Sequence, residues 1–131
     1  GILQMSYLLD THIFLWWVLD NPKLDGKTRA LMSETDASLF LSAASAWEMV
    51  IKSQVGKLIL PEPIIDFIQK QLVLNDIESL DITTDHALKV FKLPLYHKDP
   101  FDRMLIAQSL VEDVTIITND EMIKQYDVQV A

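Results

Sequence analysis

The chain has 131 residues, half of them hydrophobic, with no cysteine and a formal net charge of −8. That length and apolar share suffice for one domain with its own core, while the missing thiols exclude cysteine nucleophiles, disulfides and cysteine-ligated zinc, so any metal must sit on oxygen or imidazole. The negative charge argues against a protein that holds nucleic acid by a broad basic surface, though not against an enzyme that touches it locally, because carboxylates that bind a cation count as negative until the ion is in place.

The longest apolar run, Ile13 to Leu19, is far short of the roughly 20 residues that span a bilayer, and no basic leader precedes it. No membrane association is expected, and a cytoplasmic location agrees with the absence of cysteine. Gly1 to Gln4 stand in front of Met5, and the first strand begins after that methionine. Residues 1–4 are therefore expected to be a cloning remnant, and 5–131 a single domain.

In chain order, Ser6 to Asp10 reads as a short apolar strand ending in an acid, and Thr11 to Asp20 as a strongly hydrophobic helix closed by Asn21-Pro22. Leu24 to Glu34 has helical spacing. Ser38 to Ser42 is a second buried-type strand, and Ala43 to Val55 a helix stopped by Gly56 in a position suited to a left-handed cap. Pro61 and Pro63 break the chain before a helix over Ile64 to Leu74. Ile77 to Ile82 alternates as a strand should, and Thr83 offers an N-cap for a helix running to Leu93. Met104 to Val111 is helical, Val114 to Thr118 a β-branched strand and Val128 to Val130 a terminal one. Nearly all-apolar strands alternating with helices predict a parallel sheet covered on both faces, a three-layer α/β/α sandwich. Ligands of such open sheets bind beyond the carboxyl ends of the strands.

That rule gives the acids a pattern. Asp10 ends the first strand and Asp120 follows the Val114–Thr118 strand, so both fall on one rim; Glu48 lies one turn into a helix and Asp102 in the first turn of another. Each acid also has a plain structural reading. Asp10 suits an N-cap, and Asp120 a turn or cap. Glu48 and Lys52 form an i,i+4 pair worth roughly 0.2–0.5 kcal/mol on an exposed face. Yet Ser45, Glu48 and Lys52 make a narrow polar stripe on a helix otherwise composed mostly of apolar residues, Trp47 among them, which predicts that the stripe faces a cleft. Asp99, Pro100 and Asp102 together form a helix-start signature in which Asp99 is the cap. The case for chemistry is joint: two like charges about 4 Å apart cost ~4 kcal/mol at an effective dielectric of 20, so a cluster of four needs protons or a divalent cation. Oxygen-only ligands favour Mg²⁺ or Mn²⁺.

The segments Leu8-Leu-Asp10-Thr-His, Ser42 to Lys52, Gly56-Lys-Leu, Leu93-Pro-Leu95, His97 to Gln108 ("HKDPFDRMLIAQ") and Ile117-Thr-Asn-Asp120, in that order, resemble the PIN domain, in particular the VapC-type toxin ribonucleases of toxin–antitoxin pairs in a subgroup carrying DPFDR. The resemblance runs from about Tyr7 to the end of the chain. It implies an α/β/α nuclease that uses Mg²⁺ or Mn²⁺ to hydrolyse RNA, with Asp10, Glu48, Asp102 and Asp120 as catalytic metal ligands. Asp99, Thr11, Ser45 and Thr118 become supporting residues, and Lys52 and Arg103 candidates to steady the scissile phosphate. Arg103 reads equally as a surface ion pair, and His97 either as a proton shuttle or as a solvent-facing loop histidine. The resemblance further implies a cognate antitoxin and a second copy of the chain as partners. Adjacent Trp16 and Trp17 point about 100° apart on a helix, so either that helix is buried nearly all round or one tryptophan serves an interface.

Two rivals stand beside this reading. One is a PIN-like protein-binding module with a degenerate or poorly occupied metal site, which the acids at all four positions disfavour. The other is a phosphoryl-transfer domain using Asp10 as nucleophile, which would want a second acid where His12 stands.

Overall fold

A computed structural model describes residues 5–131; the reading of residues 1–4 as a remnant lies outside the described residues. The elements are β1 (Met5–Leu9), α1 (Thr11–Val18), α2 (Gly26–Met32), β2 (Ala37–Ser42), α3 (Ala43–Gln54), α4 (Ile64–Leu74), β3 (Ile77–Leu80), α5 (Thr84–Val90), α6 (Pro100–Glu112) and β4 (Thr115–Ile117), with a 3₁₀ turn at Ile123–Gln125. The strands form one sheet in the order β3-β2-β1-β4, all parallel.

Strand alternation divides the core in two. Tyr7, Leu9, Leu39, Leu41 and Ile117 face one way and pack on Ile13, Phe14, Met49 and Phe67 from α1, α3 and α4. Leu8 and Ile116 face the other way, onto Leu105, Ile106 and Ala107 of α6. A sheet buried on both faces explains why its strands carry so few polar residues. Strand β1 has β2 on one side and β4 on the other, so the chain's progress across the sheet reverses beside β1. Such a reversal opens a crevice at the carboxyl ends of the two strands, and there Asp10 and Thr118 lie.

Local signals set most boundaries. Gly56 takes φ +77° just beyond α3, and Lys57 N–H closes the helix end onto Lys52 O at 2.8 Å, the geometry a left-handed cap requires. Thr83 caps α5 in a reciprocal arrangement with His86. Other boundaries depart from expectation. Helix α5 stops at Val90, not Leu93, and β3 ends at Leu80. The segment around Val128 makes only a single parallel bridge, Val130 to Ile116, because the three-residue β4 offers little edge to pair with. The tryptophans also divide unexpectedly: Trp16 and Trp17 are half-buried against the first core cluster, whereas Trp47 is 61% exposed and stands edge-on to Phe101 at 5.4 Å.

The 91–99 loop is held from α6. Arg103 Nη1 donates to Pro94 O at 2.8 Å and to Tyr126 Oη at 3.2 Å, and Nη2 donates to Val90 O at 3.1 Å. Tyr126 Oη in turn donates to Pro94 O and accepts from His97 N–H. This corrects the reading of Arg103 as a phosphate contact or a surface ion pair: its fork is committed to Pro94 O in the loop, Val90 O at the end of α5 and Tyr126 Oη. A lysine cannot reproduce that planar fork. Arg103→Lys should lower stability by roughly 2 kcal/mol and increase hydrogen exchange at 91–99, measured by urea unfolding and amide exchange; wild-type behaviour in both would refute the clamp.

Candidate active site

The site grows from the end of β1. Asp10 is 3% exposed; its N–H donates to Ile117 O at 3.0 Å, fixing it against β4. One carboxylate oxygen accepts from His12 N–H at 3.1 Å, so Asp10 is the N-cap of α1, and the other accepts from Thr118 Oγ1–H at 2.6 Å. Cap and site residue are thus one side chain. Thr118 Oγ1 also accepts from Asp120 N–H at 2.9 Å, so a single hydroxyl ties the two rim acids together. Asp120 Oδ1 accepts from Met122 N–H at 2.8 Å, which leaves its second oxygen turned inward.

Helix α3 supplies the opposite wall. Ser45 and Glu48 are buried, which puts the polar stripe into the cleft. Thr11 Oγ1 donates to Glu48 Oε1 at 2.8 Å and lies 2.9 Å from Ser45 Oγ, while Lys52 Nζ donates to Glu48 Oε2 at 2.9 Å. Both oxygens of a buried carboxylate are therefore satisfied, and its charge has a partner.

The DPFD start of α6 delivers the last acid. Asp99 Oδ1 accepts from Phe101 N–H at 2.8 Å and from Asp102 N–H at 3.1 Å, with Pro100 at the first helical position, where a missing N–H costs nothing. The Asp102 carboxyl is pushed up from an ordinary 3.8 to about 7, first by burial and then by the charges of Asp10 and Asp99; Glu48 adds to the rise and His97 opposes it. Four acids from three helix starts thus act on one another. Asp120 joins them through His97, whose Nε2 lies 2.9 Å from Asp102 Oδ2 and 3.2 Å from Asp120 Oδ2.

His97 is the residue that sequence reasoning undervalued. Its side chain is only 14% exposed, which corrects the solvent-facing alternative. Asp99 N–H donates to His97 Nδ1 at 3.2 Å, so Nδ1 is the acceptor and Nε2 carries the proton toward the two carboxylates. The signal available was a histidine two residues before the cap, the spacing of this backbone bond.

Ligand atoms of His97, Asp102 and Asp120 lie within 4.8 Å of one another; Asp10 and Glu48 adjoin this set without belonging to it. The donor set fits a hard divalent cation: carboxylate oxygens dominate, and burial together with the neighbouring carboxylates raises Asp102. His97 fits less well as a ligand, since metallation at Nε2 would move its proton to Nδ1, against the Asp99 N–H. Lys52 reaches the site through Glu48; Arg103 does not reach it.

A raised acid makes a signed prediction. Asp102 ionises near 4 in the unfolded chain and near 7 in the folded one, so between those values the folded state holds the extra proton and stability falls as pH rises, levelling off above about 7. Asp102→Asn should therefore raise the melting temperature of metal-free protein at pH 8 by roughly 5–10 °C, as about 2 kcal/mol would, with the gain vanishing toward pH 4. A pH-independent difference in calorimetry would contradict the raised Asp102.

The PIN domain family matches residues 7–129. Ribonuclease VapC16 of Mycobacterium tuberculosis (strain ATCC 25618 / H37Rv) is 38% identical over 61 residues, 47% of this chain and 42% of that protein, so the match spans less than half of the relative's length. The fold resembles VapBC2 from Rickettsia felis, solved bound to a DNA fragment from its promoter, with TM-score 0.73 and 16% identity over 97% of this chain and 98% of that one. It also resembles DNA-bound VapBC from Salmonella typhimurium, with TM-score 0.70 and 15% identity over 97% of each chain, and FitAcB from Neisseria gonorrhoeae, with TM-score 0.64 and 20% identity over 95% of each. With a family match over nearly the whole chain on top of this parallel sheet, the protein belongs to the PIN domain family.

Proposed function

We propose that the protein is a metal-dependent endoribonuclease, the toxin of a toxin–antitoxin pair of the DPFDR-carrying VapC type, acting in the cytoplasm. The observation that carries this reading is the gathering of Asp10, Glu48, Asp99 and Asp102 at the crevice beyond the strand ends, where burial first and the neighbouring carboxylates second lift Asp102 to about 7. A protein with no use for a cation gains nothing from such a cluster, since each buried like charge costs stability.

Asp10, Asp102, Glu48 and Asp120 are the residues that would hold the ion. Mg²⁺ or Mn²⁺ bound there supplies a Lewis acid that stabilises the charge developing on the phosphoryl oxygens. Around it the chain's own groups have distinct tasks. Glu48, held by Thr11 and Lys52, orients the attacking water and takes its proton. Water oxygen bonds to phosphorus as the bond from phosphorus to the 3′ oxygen breaks, leaving a 5′-phosphate and a 3′-hydroxyl. His97 Nε2–H, directed at the Asp102 and Asp120 carboxylates, holds those two acids in position, and the departing 3′ oxygen takes its proton from solvent water. Thr118 and Asp99 hold Asp10 and the start of α6, and Lys52 balances charge beside the phosphate.

As partners we infer an antitoxin and a second copy of the chain. Several structural relatives are two-component assemblies, VapBC and FitAcB, and Leu88, Phe91 and Leu95 are highly exposed here, more apolar surface than one short stretch of a solitary domain needs. Among the described residues no helix is long and apolar enough to cross a membrane.

Cleavage of mixed single-stranded RNA tests the reading. Activity should appear with Mn²⁺ or Mg²⁺, vanish with EDTA, and fall about 100-fold or more in Asp10→Asn and Asp102→Asn. Activity that survives both substitutions would remove the proposed centre, and a protein that binds its antitoxin yet cuts no RNA would favour the binding module.

A further inference from the structure

A second cleft adjoins the acids. It encloses about 370 Å³ and is lined by Trp16 of α1, Lys23 and Lys27 at the entry to α2, and Thr118, Asn119 and Lys124 after β4. Its lining runs against the net charge of −8: it carries three lysines, two at the entry to α2 and one after β4. The ammonium groups of Lys23 and Lys27 have no hydrogen bond or ion pair among the described residues, and Lys124 has only an exposed 3.4 Å contact with Glu121, worth little. Asp25 is the one acidic side chain in the lining; it caps α2 through Thr28 N–H at 2.7 Å and offsets part of the charge of Lys27, leaving Lys23 and Lys124 as the less opposed cations.

Two features join this cleft to the proposed chemistry. Thr118 is part of its lining and donates to Asp10 Oδ2, so one side chain separates the cleft from Asp10. Half-buried Trp16 forms part of its wall, with the His12 ring 6.0 Å away and tilted, an aromatic surface at the edge of a cationic one. Cations spaced along a groove with an aromatic platform suit single-stranded nucleic acid, whose phosphates need charge and whose bases need a π-face. An acidic peptide would use the lysines and leave the platform idle.

Resting on the ribonuclease reading, we propose that this cleft holds the RNA strand immediately to one side of the scissile phosphate. Lys23, Lys27 and Lys124 take backbone phosphates, and Trp16 stacks a base. These are substrate-positioning residues, remote from the reacting atoms, so they govern KM for a strand long enough to enter the cleft.

Steady-state cleavage in Mn²⁺ tests this with two substrates, a single-stranded RNA of about 12 nucleotides and a dinucleotide too short to reach the lysines. The combined Lys23→Ala, Lys27→Ala, Lys124→Ala variant should raise KM for the longer RNA at least about 10-fold, leave kcat and dinucleotide cleavage unchanged, and flatten the dependence of log KM on log salt by about 2, the slope owed to three single-strand phosphates. Arginine at the same three positions should restore KM. Trp16→Leu, which keeps an apolar side chain at the core edge, should raise KM several-fold and leave the salt slope intact. Unaltered KM and salt slope in the triple variant would overturn the cleft. So would a triple variant that handles RNA like wild type while losing affinity for a polyglutamate peptide, which would make the surface a protein dock. Failure of the wild type to cut any RNA removes the ribonuclease reading itself, and the dinucleotide arm separates that outcome from failure of the cleft alone.

Discussion

The hydrogen bond from Thr118 to Asp10, 2.6 Å long and buried, joins the carboxyl ends of β1 and β4 across a sequence separation of 108 residues. The rest of the site is hung from it. Asp10 is anchored to β4 by its backbone and to α1 by its second oxygen, and Asp120 is bound to the same hydroxyl through its N–H. If the two strand ends separated, the rim acids would lose their common reference, and the crevice that reversal of strand order opens would have no floor.

Against this fixed edge the fold sets charges that repel. Burial and the neighbouring carboxylates raise Asp102 to about 7, and the remaining groups limit the damage. Lys52 neutralises Glu48, and His97 directs its one ring proton at Asp102 and Asp120. The Asp99 N–H points at Nδ1, so the residue that caps α6 also turns Nε2 of the histidine toward the acids. Asp99 is in this sense structural and electrostatic at once: it starts the helix that aims Asp102, and its charge raises Asp102.

The alternation of apolar strands with helices was legible in the sequence, and so was the parallel sheet, because side chains facing two cores leave no polar period in the strands. Helix starts at Thr83 and Asp99, and the left-handed exit at Gly56, follow from local chemistry and fell where that chemistry puts them. The acids stood out because a strand end is a definite place in such a fold. Arg103 did not, since its acceptors, Val90 O at the end of α5 and Pro94 O in the loop beyond it, come within reach only when that part of the chain packs on α6. His97 was hidden for the same reason: its contact with Asp120 spans 23 residues. The exposure of Trp47 depends on where α3 meets α6, which hydrophobic period alone does not specify.

Asp10, Glu48, Asp102 and Asp120 are proposed to share one divalent cation. Side-chain carboxyl ¹³C resonances recorded during a substoichiometric Mn²⁺ titration test it directly, because paramagnetic broadening falls steeply with distance from the ion. These four signals should broaden first and together, with Asp99 following and surface carboxylates such as Asp85 and Glu62 staying sharp. Broadening spread evenly over the surface acids, or confined to Asp120 with Asp10 and Glu48 unaffected, would contradict it.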